Sequence, residues 1–309
     1  MGDPLIAVDA VTKEFGPQVA LASVTANLGP GTIGLVGPNG AGKTTLIRLL
    51  LGLLPPTNGR LRVFGIDTLH DPLRIRERVG YMPEHDCLIP TMTGVGFVAY
   101  MGQVSGLPRE TALSRAHDVL QFVGIHEERY RLIREYSVGM RQRVKLAQAI
   151  VHDPVLCLLD EPTAGLDPNG RTEMLKLLHT ISQLPGRSLM LSTHLLPDVE
   201  GLCDQILLLN SGRLLASGPL GPLLASHRTE TVIRIKGDVD AFTQRLTARG
   251  ISVRAEGGEV LARLPAGGER AVFETAREVH AEIRHMGASA RSVEELFLSL
   301  VHEDGGAAP

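Results

Sequence analysis

A glycine-rich string set between an apolar run and a helical pattern constrains this chain more than any other stretch. Thr32, Ile33, Gly34, Leu35 and Val36 lead into Gly37, Pro38, Asn39, Gly40, Ala41, Gly42, Lys43, Thr44 and Thr45, after which Leu46, Ile47, Leu49, Leu50 and Leu53 recur at helical spacing. The order is strand, loop, helix. The string fits G-x-x-x-x-G-K-[ST], in which missing Cβ atoms let successive backbone N–H groups curl around phosphate oxygens, and the positive end of the following helix faces the same anion. In such a loop Lys43 reaches the β- and γ-phosphates as a point charge, and the Thr44 hydroxyl is a ligand for Mg2+. A chance match in a chain of this composition has a probability of about 0.006, so an accidental lysine in a glycine turn is set aside.

A second element ends at Asp160, 117 residues beyond Lys43. Val155, Leu156, Cys157, Leu158 and Leu159 form the continuous apolar run of a strand buried on both faces of a parallel sheet, and Asp160, Glu161 and Pro162 follow it. Two carboxylates therefore stand at a strand's carboxyl edge, where ligands of open α/β sheets bind. Asp160 is suited to hold Mg2+ through water, and Glu161 to orient or deprotonate an attacking water. An isolated Asp-Glu pair is more often a solvated strand end; the phosphate loop upstream reverses that balance.

Composition removes several classes of function. No stretch approaches the roughly 18 consecutive apolar residues of a membrane span. With 31 basic and 34 acidic residues the net charge is −3, so no positive field attracts a phosphate backbone and no nucleic-acid partner is expected. Cys87, Cys157 and Cys203 are widely spaced with no CxxC pair. That pattern suits a reducing compartment and excludes a zinc cluster built on paired thiols. The first residues lack the basic-then-apolar pattern of a signal peptide, and a cytosolic chain is expected.

The run Tyr136, Ser137, Val138, Gly139, Met140, Arg141, Gln142, Arg143 adds a third feature. Ser137 reads as the N-cap of a helix, and Gly139 permits close backbone approach to an anion. With these motifs the chain, over about residues 4–225, resembles the ATP-binding subunit of an ABC transporter. Residues 136–140 resemble the ABC signature in its exporter-type Tyr-Ser-x-Gly-Met form. Ala164, Gly165, Leu166 and Asp167 resemble the D-loop, and Ser192, Thr193 and His194 the switch-histidine strand. Phe15 sits where the family places an aromatic that stacks on adenine, against the alternative of a core phenylalanine. Glu84 holds the Q-loop position, where most of the family carries glutamine.

The resemblance implies an α/β P-loop fold of ABC type with a helical subdomain, and ATP and Mg2+ as cofactors. It implies Glu161, His194 and Lys43 as catalytic residues. Nucleotide contacts are carried over to Phe15, Gly37, Pro38, Asn39, Gly40, Ala41, Gly42, Lys43, Thr44, Thr45, Glu84, Ser137, Gly139 and Asp167. Metal contacts are carried over to Thr44, Asp160 and Glu84. In the family two nucleotide-binding domains pair head to tail. One chain here holds one copy of each motif, so an ATP-dependent homodimer is expected. The implied partner is a polytopic membrane permease on separate chains, which would hold this chain peripherally on the cytoplasmic face of the cell membrane. A soluble ABC ATPase acting on ribosomes or DNA is the alternative; such proteins usually carry two nucleotide-binding domains, zinc modules or long coiled coils, none of which is visible. A non-catalytic ATP-gated scaffold is a third reading, opposed by the joint presence of Lys43, Asp160, Glu161 and His194.

The expected organisation is an ATP-binding domain over residues 1–228, with its helical subdomain at about 88–150, where residues 109–122 show helical spacing. Residues 87–106 are the candidate permease surface, although the apolar stretch 95–101 equally suits internal packing. Beyond residue 228 the pattern reads as strand 231–236, helix 238–249, strands 251–255 and 259–264 about Gly257 and Gly258, a long helix 268–286, a short strand 288–292 and a closing helix 293–301. This βαββαβ order is that of a small ferredoxin-like α+β domain, residues 229–302. It carries no clustered catalytic groups and resembles the C-terminal extensions of drug- and polyketide-exporter ATPases, which implies assembly or regulation. Residues 303–309 read as a disordered tail.

Overall fold

The computed structural model describes residues 4–85, 87–226, 231–256, 259–265, 267–288 and 292–305. In chain order the first elements are β1 (Ile6–Phe15), β2 (Gln18–Leu28), β3 (Thr32–Val36), α1 (Lys43–Leu50), β4 (Asn58–Val63), β5 (Ile66–Asp67), α2 (Pro72–Arg76) and β6 (Val79–Met82). The helical stretch follows as α3 (Gly94–Val104), α4 (Arg109–Phe122) and α5 (Val138–Ile150). The chain then returns through β7 (Leu156–Asp160), α6 (Pro168–Ser182), β8 (Ser188–Thr193), α7 (Leu196–Glu200), β9 (Gln205–Asn210), β10 (Arg213–Pro219) and α8 (Leu220–Ser226).

Every residue of β3, β7 and β8 is buried, as parallel strands covered on both faces require. They form the centre of a six-stranded sheet in the order β10-β9-β3-β8-β7-β6, parallel except for β10 at its edge. Register pairs Val36 with Thr193 and Asp160 with Ser192. The carboxyl ends of β3, β8 and β7 therefore lie level, and Gly37, His194 and Glu161 leave the sheet side by side. A second, antiparallel sheet in the order β2-β1-β4-β5 closes over α1. Ile6, Leu21 and Leu28 of that sheet, Leu46, Ile47 and Leu50 of α1, and Leu35, Leu158 and Met190 of the larger sheet share one core. Burying each such side chain stabilises by about 1.5–3 kcal/mol. α1 ends at Leu50, short of the expected pattern: Gly52 turns the chain at φ +64, and Leu53 is exposed.

Residues 88–150 are largely helical. In α3 the apolar residues Val95, Phe97, Val98 and Ala99 are buried, so the stretch 95–101 is mostly internal packing. Ile89, Tyr100 and Val104 remain on the outside. Ser137 caps α5, its Oγ accepting the Met140 N–H at 3.2 Å.

The chain divides into two compact units, one of residues 1–220 with 299–309 and the other of residues 221–298. The sequence places its boundary at 228–229, within residues 227–230, which lie outside the described residues. The second unit contains β11 (Thr231–Lys236), α9 (Val239–Ala248), β12 (Ser252–Glu256), β13 (Glu259–Arg263), α10 (Glu269–Glu278), β14 (Glu282–Ala288) and the start of α11 (Val293–Gly305). Its antiparallel sheet has the order β12-β13-β11-β14, the ferredoxin-like arrangement. Ile233, Phe242, Leu246, Val260, Val272 and Ala276 form its core.

Two expectations are corrected here. The single helix over 268–286 is instead α10 followed by β14; His280 takes a left-handed φ of +53, and β14 pairs with β11. Ile283 and Met286 pack on the core from that strand, and tertiary pairing outweighs the helix propensity of this Ala, Glu, Arg and Met-rich stretch. The expected short strand 288–292 falls mostly on residues 289–291, outside the described residues, as do Gly257 and Gly258. Residues 303–305 of the expected disordered tail belong to α11 (Val293–Gly305), and residues 306–309 lie outside the described residues.

Candidate functional site

The glycines of the phosphate loop answer to packing as well as to ligand space. A Cβ on Gly37 would stand 2.2 Å from the Leu209 carbonyl oxygen of β9. Gly42 has φ +102, and its Cβ would stand 2.6 Å from the Ala20 carbonyl oxygen. Gly42 is also the N-cap of α1 and supplies no side-chain cap. The first-turn amides of α1 thus keep their hydrogens for a ligand, and the helix dipole favours an anion there. Lys43 Nζ donates to Gly37 O at 2.8 Å and Pro38 O at 3.2 Å, and lies 3.4 Å from Glu161 Oε1.

The two carboxylates are held differently. Asp160 Oδ2 accepts the Thr44 hydroxyl at 2.8 Å, and Asp160 Oδ1 accepts the Ser192 hydroxyl. Ser192 Oγ in turn accepts the Glu161 N–H at 3.2 Å, so one buried hydroxyl bridges the two acidic residues. Glu161 is a non-glycine residue at φ +50, a conformation that costs of order 1–3 kcal/mol and persists where neighbours hold it. Its carboxylate faces His194, whose Nδ1 lies 3.1 Å from Oε1 and 3.0 Å from Oε2. An ionised carboxylate only accepts, so Nδ1 carries the hydrogen of this contact.

These groups share a cavity of about 400 Å³ lined by Phe15, Gln18, Ala20, residues 39–45, Glu84, Asp160 and Glu161. Phe15 is 46% exposed at its mouth, with Lys13 Nζ 5.0 Å from the ring centroid, so it is not a core phenylalanine. Gly37 and Pro38 act one step back, through their carbonyls on Lys43. The donor set fits Mg2+: the Thr44 hydroxyl and the Asp160 carboxylate present oxygens at one place, and Glu84 lines the same cavity. Among the described residues no cluster of three or more His, Cys, Asp or Glu forms a metal cage.

Ser137, Gly139 and Asp167 are not in this cavity. They line a second one, also about 400 Å³, with Met140, Arg143 and Leu166. Asp167 Oδ1 caps α6 by accepting the Gly170 N–H at 3.1 Å. A single chain's sequence-named nucleotide contacts thus fall into two groups.

Sequence reasoning missed Ser192 as a bridge. The only available signal was its place opposite Asp160, which depends on the strand register. It also missed Lys145 and Gln148 of α5, whose side chains donate to Glu84 O at 2.8 Å and Tyr81 O at 2.6 Å and so tie the Glu84 segment to the signature helix. Burial, reinforced by the Asp160 carboxylate, pushes the nearby Tyr81 hydroxyl up to about 12.

A glycine-rich loop after one parallel strand, two carboxylates at the carboxyl end of a second and a histidine after the strand between them define a P-loop ATPase. Comparison with known proteins narrows the class. A sequence model of the ABC transporter family matches residues 21–164. The chain is 32% identical to daunorubicin resistance ATP-binding protein DrrA3 of Streptomyces coeruleorubidus over a 312-residue alignment covering 98% of each chain. It is 34% identical over 225 residues to bacitracin transport ATP-binding protein BcrA of Bacillus licheniformis, covering 72% of each. Among solved structures, a dimeric ATP-binding cassette in a post-hydrolysis state, bound to ADP and Pi, matches with a TM-score of 0.64 at 25% identity, covering 70% of this chain and 98% of that one. The chain belongs to the ABC transporter family as an exporter-type ATP-binding subunit, an ATPase that powers a separate membrane permease. Among its described residues no helix is long and apolar enough to cross a membrane.

Proposed function

We propose that this chain binds MgATP over residues 37–45 and that its hydrolysis drives export of an amphiphilic small molecule of antibiotic type. The observation that carries the reading is the convergence of Lys43, Asp160, Glu161 and His194 at one edge of the parallel sheet. In this reading the first-turn amides of α1 and Lys43 bind the β- and γ-phosphates, Phe15 stacks on the base, and Thr44 and Asp160 would hold Mg2+, with Glu84 as a further candidate ligand. The bound ion neutralises phosphate charge. Glu161 takes the proton of the attacking water, and His194 holds its carboxylate in place.

The separation of Ser137, Gly139 and Asp167 from the phosphate loop supports an ATP-dependent homodimer. A two-fold pair brings the second group of one protomer against the phosphate loop of its partner at both sites. The permease then sits on the outside of residues 87–106, where Ile89, Tyr100 and Val104 are exposed, and holds the chain at the cytoplasmic face of the membrane. The second unit serves assembly or regulation. Small-molecule cargo is supported by relatives named for daunorubicin resistance, bacitracin transport and Nod factor export.

Copurification with a polytopic membrane protein captured by this chain, followed by ATPase assays of the complex against a panel of amphiphilic antibiotics, tests the proposal. Stimulation of turnover by at least one class is expected. An assembled complex whose turnover none of them changes would remove the cargo assignment.

A further inference from the structure

One carboxylate outside the site links the three segments that carry Glu161, Asp167 and His194. Asp198, only 2% exposed, lies on α7, four residues beyond His194. Its Oδ1 accepts from Arg171 Nε and Nη2, each at 2.7 Å, and its Oδ2 accepts the Thr163 hydroxyl at 3.0 Å. Thr163, itself buried, lies two residues beyond Glu161 in the turn that leads to Asp167. Arg171 lies four residues beyond Asp167 in α6.

The contact between Glu161 and His194 is therefore pinned on both sides. On the sheet side, Asp160 and Ser192 are register partners on adjacent strands. On the outer side, beyond both reacting residues, Thr163 is joined to Asp198. A strained left-handed residue stays in place only where its surroundings fix it, and a paired guanidinium and carboxylate fix direction as well as distance. We propose that Asp198, Arg171 and Thr163 are positioning residues for hydrolysis, which hold Glu161 and His194 in register from the outer side and couple both to the start of α6. The proposal rests on the reading that Glu161 and His194 act in hydrolysis.

Steady-state ATPase kinetics and thermal melting of the full chain test it. Thr163→Val keeps the shape and removes only the hydroxyl. It is expected to lower kcat at least tenfold while KM for ATP stays within twofold, because the phosphate loop is untouched, and to shift the melting temperature by no more than a few degrees. Thr163→Ser is expected to restore most of the lost kcat. Asp198→Asn, a second probe of the same size as the original, should show the same split of kcat from KM. Thr163→Val with wild-type kcat, or a loss shared equally by kcat, KM and melting temperature and not rescued by serine, overturns the proposal. Glu161→Gln separates the two levels. If it is inactive while Thr163→Val is fully active, only the clamp fails; if Glu161→Gln turns over normally, the site reading fails and the clamp with it.

Discussion

Glu161→Gln changes one charge at nearly constant size, which makes it a sharp test of the site. The native carboxylate is buried between His194 and Lys43, at 3.0 Å and 3.4 Å. Glutamine can still accept from His194 Nδ1 through its carbonyl, but it cannot take a proton from water at neutral pH. Loss of a general base lowers a rate by about 10²–10⁴-fold, which corresponds to roughly 2.7–5.4 kcal/mol of barrier. The effect on binding has the opposite sign. At an effective dielectric of about 20, the attraction between Lys43 and Glu161 is about 5 kcal/mol before desolvation. Desolvation offsets most of this, and the Gly37 and Pro38 carbonyls still hold the ammonium. A net release of about 1 kcal/mol frees Lys43 for phosphate and tightens ATP about fivefold. Phosphate release and calorimetric titration with ATP measure the two effects separately. Turnover at least about 100-fold lower, an unchanged or tighter Kd, and an ATP-dependent dimer by light scattering are expected. Wild-type turnover refutes Glu161 as the base; ATP binding more than tenfold weaker refutes the argument that Glu161 competes for Lys43.

Lys43→Ala is expected to weaken ATP binding at least tenfold, whereas Ser137→Arg spares binding and stops hydrolysis, because Ser137 lies in the other cavity. Mixing the two inactive proteins should recover part of the turnover; a Ser137→Arg chain that loses ATP affinity as severely as Lys43→Ala contradicts the head-to-tail pairing. Glu84→Gln should weaken apparent Mg2+ affinity modestly and leave basal ATPase within about tenfold, a change of about 1.4 kcal/mol or less. Its larger effect should fall on stimulation in the complete transporter, and superimposable Mg2+ titrations in both settings reject a role for this side chain. Burial pushes the Cys157 thiol up to about 12, so the fold favours the protonated form and the unfolded chain releases its proton near pH 9. The resulting stability is complete below pH 9 and is lost as pH rises from 9 towards 12. Urea melts of Cys157→Ala should show a shallower alkaline decline than the native chain; identical slopes contradict the burial argument.

Sequence alone determined the parts of this protein whose signal is local. β7 read as a strand buried on both faces because five apolar residues, 155–159, follow one another, and β3 read as the strand that leads into the glycine loop. The loop at 37–45 and the acidic pair at 160–161 followed, since each is attached directly to one of those strands. Residues 109–122 became α4 because a 3.6-residue period survives any context that buries one face. The tertiary structure decided whatever depends on partners far apart in the chain. Residues 282–288 hold good helix formers and became a strand because β11 offered an unpaired edge. Gly37 is required by a carbonyl of β9, 172 residues away in the chain, as much as by a phosphate. Ser192 acquires its role only when strand register sets it opposite Asp160, and Asp198 only when Thr163 and Arg171 fold around it. Asp167 was legible as a motif residue, yet its placement with Ser137 and away from the phosphate loop follows from where α5 and α6 pack. Periodicity and local motifs carry information over a few residues, whereas these contacts form only after the sheet order and register have been set.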